Sequence, residues 1–130
     1  MQPDRLQPDS PAEWMNRSKS DLALARREVD GVYLEDLCYH AQQAVEKALK
    51  ALLLKKCGKF PYIHDLSELL NQVEKAGFSV PENVRDCAAL TEFAVAGRYP
   101  GFDEPVTKRQ WRDAVKKAVT VVKWIQVMLK

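Results

Sequence analysis

The side chains best suited to chemistry in this 130-residue chain fall in three places. The first is a loop, Gly97-Arg98-Tyr99-Pro100. Gly97 permits an unusual backbone angle. Arg98 offers a planar fork that fits an anion, and Tyr99 offers a stacking face with a hydroxyl. Together they suit a phosphate and a base. The competing reading is a plain helix stop, with Arg98 paired to a helix carboxylate and Tyr99 packed on the core.

The other two places hold the histidines. His40 lies about 100° from the centre of its helix's apolar stripe, which sets it at the boundary between core and solvent. It suits ligand binding or acid–base work. The competing reading is a packing histidine with one hydrogen bond. His64 lies just before a short helix. It suits an anion at that helix's N-terminus, or else it caps or packs the turn into the helix. Glu46 and Lys50 form an i,i+4 pair, read as a surface stabiliser. From Thr107 to Lys130 there are seven cations and one anion. Arg109, Arg112, Lys116 and Lys123 share one helix face there. That face is a candidate nucleic-acid footprint, and a solvated helix surface is the plainer reading.

Composition narrows the classes. Lys and Arg total 20 and Asp and Glu total 18, a net charge of +2. So balanced a chain has no global field drawing it to nucleic acid or membrane. No apolar run nears the roughly 20 residues of a membrane span. Cys38, Cys57 and Cys87 are widely spaced and form no Cys-x-x-Cys pair. Reduced thiols in a cytoplasmic protein are expected, with no metal site. There is no phosphate-cradling glycine loop, no His-Glu-x-x-His and no Gly-x-Ser-x-Gly, and no cofactor is implied.

Helices must position these groups. Glycine and proline punctuate the chain into five helical blocks. The first runs from about Pro11 to Val29, with a Ser10/Glu13 capping box and a face of Met15, Ser18, Leu22, Ala25 and Val29. The second, Leu34 to about Cys57, has a 3.6-residue apolar period at Leu34, Leu37, Cys38, Ala41, Ala44, Val45, Ala48, Leu49 and Leu52. Its alanines let another helix approach closely. Around that seam stand His40, Gln42, Gln43, Glu46, Lys47 and Lys50. The third block is short, Asp65 to Ala76, capped by Asp65 and Glu68. The fourth spans about Pro81 to Ala96, with Val84, Cys87, Ala88, Thr91 and Val95 in register. The fifth starts at a Thr107/Gln110 capping box and runs to the C-terminus. It buries Trp111, Ala114, Val115, Ala118, Val122, Ile125 and Leu129. The fold expected is all-α, an up-and-down helical bundle of about five helices, four long and one short. Residues 1–10 are expected to be a mobile leader and 11–130 the single domain.

Three segments, in this order and spacing, resemble the HEPN family (higher eukaryote and prokaryote nucleotide-binding). They are Cys38 to Pro61, CYHAQQAVEKALKALLLKKCGKFP; His64 to Leu70, HDLSELL; and Ala96 to Gly101, AGRYPG. The resemblance implies a helical bundle, usually a homodimer, often beside a small nucleotidyltransferase partner in toxin–antitoxin or related modules. Many members are metal-independent ribonucleases with an Arg-x4–6-His motif. Here that motif is absent. Positions 33 to 35 before His40 are Tyr33, Leu34 and Glu35, and positions 57 to 59 before His64 are Cys57, Gly58 and Lys59.

The expectation is therefore a cytoplasmic, homodimeric nucleotide- or RNA-binding module with a nucleotidyltransferase partner. Arg98 would hold phosphate and Tyr99 would stack. His40, Lys47 and His64 would add secondary contacts. The alternatives are a ribonuclease with a rearranged Arg/His site and a purely structural assembly partner.

Overall fold

Side-chain caps and tertiary hydrogen bonds set where the helices begin and end. A computed structural model describes residues 1–94 and 105–130, and all its regular structure is helical. Helix α1 (Pro11–Ala25) begins where the Ser10 hydroxyl accepts the Glu13 N–H at 3.1 Å. Only that half of the expected capping box forms. Glu13 instead accepts the Leu6 N–H at 3.0 Å and the Arg17 Nε–H at 2.8 Å. The helix stops four residues short of Val29, which is exposed. A distant residue meets that end, 86 positions on. Trp111 donates its indole N–H to the Ala25 carbonyl at 2.8 Å. In a longer helix that carbonyl would accept from Val29.

Helix α2 (Leu34–Cys57) is the axis of the bundle. It ends at Gly58, whose φ of 78° closes the last turn as its N–H bonds the Leu54 carbonyl at 2.9 Å. Ala41, Ala44, Ala48, Leu49 and Val45 are wholly buried along its seam. Helices α1 and α5 (Lys108–Met128) are its main neighbours. The approach of α1 is close enough for Ser18, itself buried, to donate to the Ala44 carbonyl at 2.5 Å. A larger side chain than alanine would hold the two helices apart.

Helix α3 (Leu66–Lys75) is capped by Asp65, whose side chain accepts the Ser67 N–H at 2.9 Å. Glu68 takes no part in that cap and accepts from Gln72 at 3.2 Å. Leu66, Leu69, Leu70 and Val73 are all buried, as the pattern requires.

The fourth segment is shorter than its apolar pattern suggests, and it is wound differently. Helix α4 covers only Glu82–Arg85 and passes into a 3-10 helix, Asp86–Phe93. The buried residues are Val84, Cys87, Leu90 and Phe93, a strict spacing of three. A 3-10 helix has about 3.0 residues per turn, so that spacing keeps one face inward. Thr91 is only half-buried, and its hydroxyl accepts the Leu66 N–H at 3.1 Å. Val95 lies outside the described residues.

Helix α5 starts at the full capping box, with Thr107 Oγ1 to the Gln110 N–H at 3.1 Å and Gln110 Oε1 to the Thr107 N–H at 2.9 Å. Among the described residues no helix is long and apolar enough to cross a membrane.

Overpacking the alanine seam should be costly. Ala48→Leu is expected to lower stability by about 1–3 kcal/mol. Urea denaturation checks it, and an unchanged midpoint would show that α2 tolerates bulk where it meets its neighbours.

Candidate functional site

One side of α2 never enters the seam. His40, Gln43, Glu46, Lys47 and Lys50 occupy roughly a third of the helix circumference, away from the alanines. Buried carboxylates organise most of this side.

The first carboxylate is Asp21, supplied by α1 and largely buried. Its Oδ2 accepts from Lys47 Nζ at 2.5 Å, and its Oδ1 meets His40 Nδ1 at 2.9 Å. A carboxylate can only accept, so the proton lies on His40 Nδ1. In the neutral ring, Nε2 then keeps its lone pair. His40 itself is half-buried, as its helix angle requires.

The second carboxylate is Glu46, only 4% exposed. It accepts from Lys50 Nζ at 2.9 Å and from Gln42 Nε2 at 3.0 Å. Gln42 in turn accepts from Gln43 at 2.8 Å. His64 reaches back from its loop to place Nδ1 at 3.0 Å from both Glu46 oxygens. Glu46 and Lys50 are thus a buried pair rather than a surface one. Burial pushes the Glu46 carboxyl up, but the hydrogen bonds from Lys50, Gln42 and His64 outweigh it and hold the group below its ordinary value of 4.5. The His64 ring is otherwise well exposed, and Asp65, not His64, caps α3.

Aromatic contacts fix the loop that carries His64. Trp14 on α1 meets Phe60 edge-on at 5.0 Å, and Phe60 meets Tyr62 at 5.9 Å. Lys50 Nζ lies 5.4 Å from the centre of the Phe60 ring.

The structure therefore brings His40 and Lys47 to one carboxylate, and His64 with Lys50 to another. Arg98 and Tyr99 lie outside the described residues. Arg109, Arg112, Lys116 and Lys123 stand on α5, with no carboxylate partner among the described residues. Their face is opposite Ala118 and Ile125, so they belong to the outer surface of a different helix. Asp21 was not singled out on sequence grounds, and Glu46 was read only as a surface stabiliser with Lys50. The available signal was position: Asp21 falls three residues after Ser18 and four before Ala25, on the edge of an apolar face. The cysteines are free, with Cys38 and Cys87 buried. Burial pushes the Cys87 thiol up to about 12, so it stays protonated and serves as core packing.

A model of the HEPN domain matches residues 11–128 of this chain. The chain belongs to the HEPN family. Two solved structures share the fold. One is ST0689, an archaeal HEPN homologue, with 27% identity, a TM-score of 0.73, and coverage of 94% of this chain and 99% of that one. The other is TT1696 from Thermus thermophilus, with 26% identity, a TM-score of 0.77, and coverage of 89% of this chain and 95% of that one. No curated protein matches the chain. Within this HEPN domain the two carboxylate–histidine pairs stand without the Arg-x4–6-His spacing.

Removing the Glu46 charge should act in two ways. Glu46→Ala leaves Lys50 buried without its partner, at a cost of about 3–5 kcal/mol. The pH dependence follows from the lowered folded-state value. Glu46 contributes stability above its ordinary 4.5, and that contribution is lost as pH falls through the depressed value. In urea melts across that acid window, wild type should lose more stability than Glu46→Gln. Parallel losses would contradict the pairing.

Proposed function

We propose that this HEPN domain is a homodimeric module that binds a nucleotide or RNA through its phosphate. In this reading it works in the cytoplasm beside a small nucleotidyltransferase, in a toxin–antitoxin-like pair. The observation that carries the reading is the pre-ordered polar side of α2. There Lys47 and two histidines are held in place by buried carboxylates before any ligand arrives. Pre-organised donors lose little freedom when they meet an anion. The dimer and the nucleotidyltransferase partner are carried over from the family.

Arg98 and Tyr99 complete the proposed site, as phosphate fork and stacking ring. Support comes from the flanks of their segment. On one side Thr91 is bonded to the backbone of Leu66, two residues beyond His64. On the other, Val106 donates its N–H to Glu35 at 2.8 Å. Glu35 lies about 7.5 Å along α2 from His40, at 1.5 Å per residue. The chain thus leaves beside one histidine's element and returns near the other's.

A second reading rests on the tautomers. Each Nδ1–H is held by a carboxylate, which leaves each neutral Nε2 as a base. A metal-independent ribonuclease would use one imidazole to take the 2′-hydroxyl proton as that oxygen attacks phosphorus. An imidazolium would protonate the departing 5′-oxygen, and Arg98 would stabilise the phosphorane charge. RNA cleavage lost in His40→Ala, with the fold intact, would favour this reading.

Binding of a short labelled RNA tests the first. Arg98→Ala should weaken it about tenfold or more, since a charge-assisted hydrogen bond contributes about 1.5–3 kcal/mol. Equal affinity of variant and wild type would remove Arg98 from the site.

A further inference from the structure

Residues 1–9 turn back along α1, and one carboxylate fastens them there. Pro8 and Asp9 sit at the turn, where the Ser10 N–H bonds the Gln7 carbonyl at 3.1 Å and Asp9 takes a φ of 61°. Asp tolerates that left-handed angle, and a β-branched residue does not. Beyond the turn, Leu6 donates its N–H to Glu13 Oε1 at 3.0 Å. Asn16 adds a longer contact, 3.5 Å, to the Asp4 carbonyl. The Leu6 N–H, and after it Arg17, hold the Glu13 carboxyl below its ordinary value of 4.5.

Little else holds this segment. Residues 1–9 are all exposed, with Leu6 at 43%. None of their side chains is sunk in the core, so burial contributes little to the attachment. Open grooves flank the Leu6–Glu13 bond. One, of about 330 Å³, lies between Gln2–Arg5 and α1. The other, of about 490 Å³, lies between the turn and Trp14, Arg17 and Lys47. Nor does Glu13 depend on the leader for a partner. Its Oε2 accepts the Arg17 Nε–H at 2.8 Å, within the same helix. When the leader lifts, that pair remains and no charge is stranded. A segment with few buried apolar contacts and one exposed bond opens locally, without unfolding its neighbours.

Lys47 gives this opening a consequence. It comes from α2, its side chain is 26% exposed, and it lines the groove that the leader walls. It is also bonded to Asp21, the carboxylate that holds His40. We propose that residues 1–9 are a strap that shields Lys47 from molecules in solution, with Glu13 as its latch. The strap is closed when Leu6 is docked on Glu13, and it opens with the bundle intact. The proposal concerns access alone, so it stands whether or not Lys47 meets a phosphate.

Two full-chain variants open the latch by different routes. Glu13→Ala removes the acceptor. Asp9→Val opposes the turn, and its position lies outside every helix, so the bundle stays folded. Hydrogen exchange at the Leu6 amide should be about tenfold or more slower in wild type than in either variant, the scale of one charge-assisted hydrogen bond. Lys47 should react with acetic anhydride several-fold faster in both variants, as read by mass spectrometry, while Lys123 on α5 keeps its rate. Leu6 exchange as fast in wild type as in the variants would show that there is no latch. Faster exchange with an unchanged Lys47 rate would show that the strap shields nothing. Faster Lys47 modification in Glu13→Ala but not in Asp9→Val would trace the effect to α1 itself and overturn the strap.

Discussion

A carboxylate that reaches water over only a few per cent of its surface has to be paired. Glu46 meets that condition on the central helix of this bundle. An unpaired charge there would cost several kcal/mol. Lys50 answers from the next turn, Gln42 from the previous one, and His64 from another segment. The last of these ties the loop between α2 and α3 to α2. In the same loop Phe60 packs against Trp14, so α1 joins the same assembly through an aromatic contact. A buried ion pair seldom adds much net stability over an apolar core. Its effect here is on arrangement: it specifies where a loop and a histidine must lie.

Asp21 repeats the pattern one helix over. In each set a carboxylate takes an imidazole Nδ1–H and a lysine ammonium. Each set therefore holds one negative and one positive charge beside a titratable ring.

The sequence shows what depends on neighbours within one or two turns. The α2 seam, the Thr107/Gln110 box and the apolar face of α3 were all legible, because their signals are local periods and caps. The end of α1 was not legible, because what meets it is a tryptophan 86 residues away, bonded to its last carbonyl. The 3-10 winding was hidden because Val84 and Cys87 fit both a 3.6-residue and a 3.0-residue repeat, and only Leu90 and Phe93 separate the two. Among site residues, His40, Lys47 and His64 stood out by type. Asp21 and Glu46 did not, because a carboxylate on an amphipathic helix reads as surface until its tertiary partners are known.

Buried carboxylates fix both imidazoles in one tautomer. Long-range proton–nitrogen correlation spectra of the histidine rings test it directly. In the neutral rings, His40 and His64 should both carry their proton on Nδ1 and present an unprotonated Nε2. Spectra showing the proton on Nε2 in either ring, or rapid exchange between the two nitrogens, would contradict it.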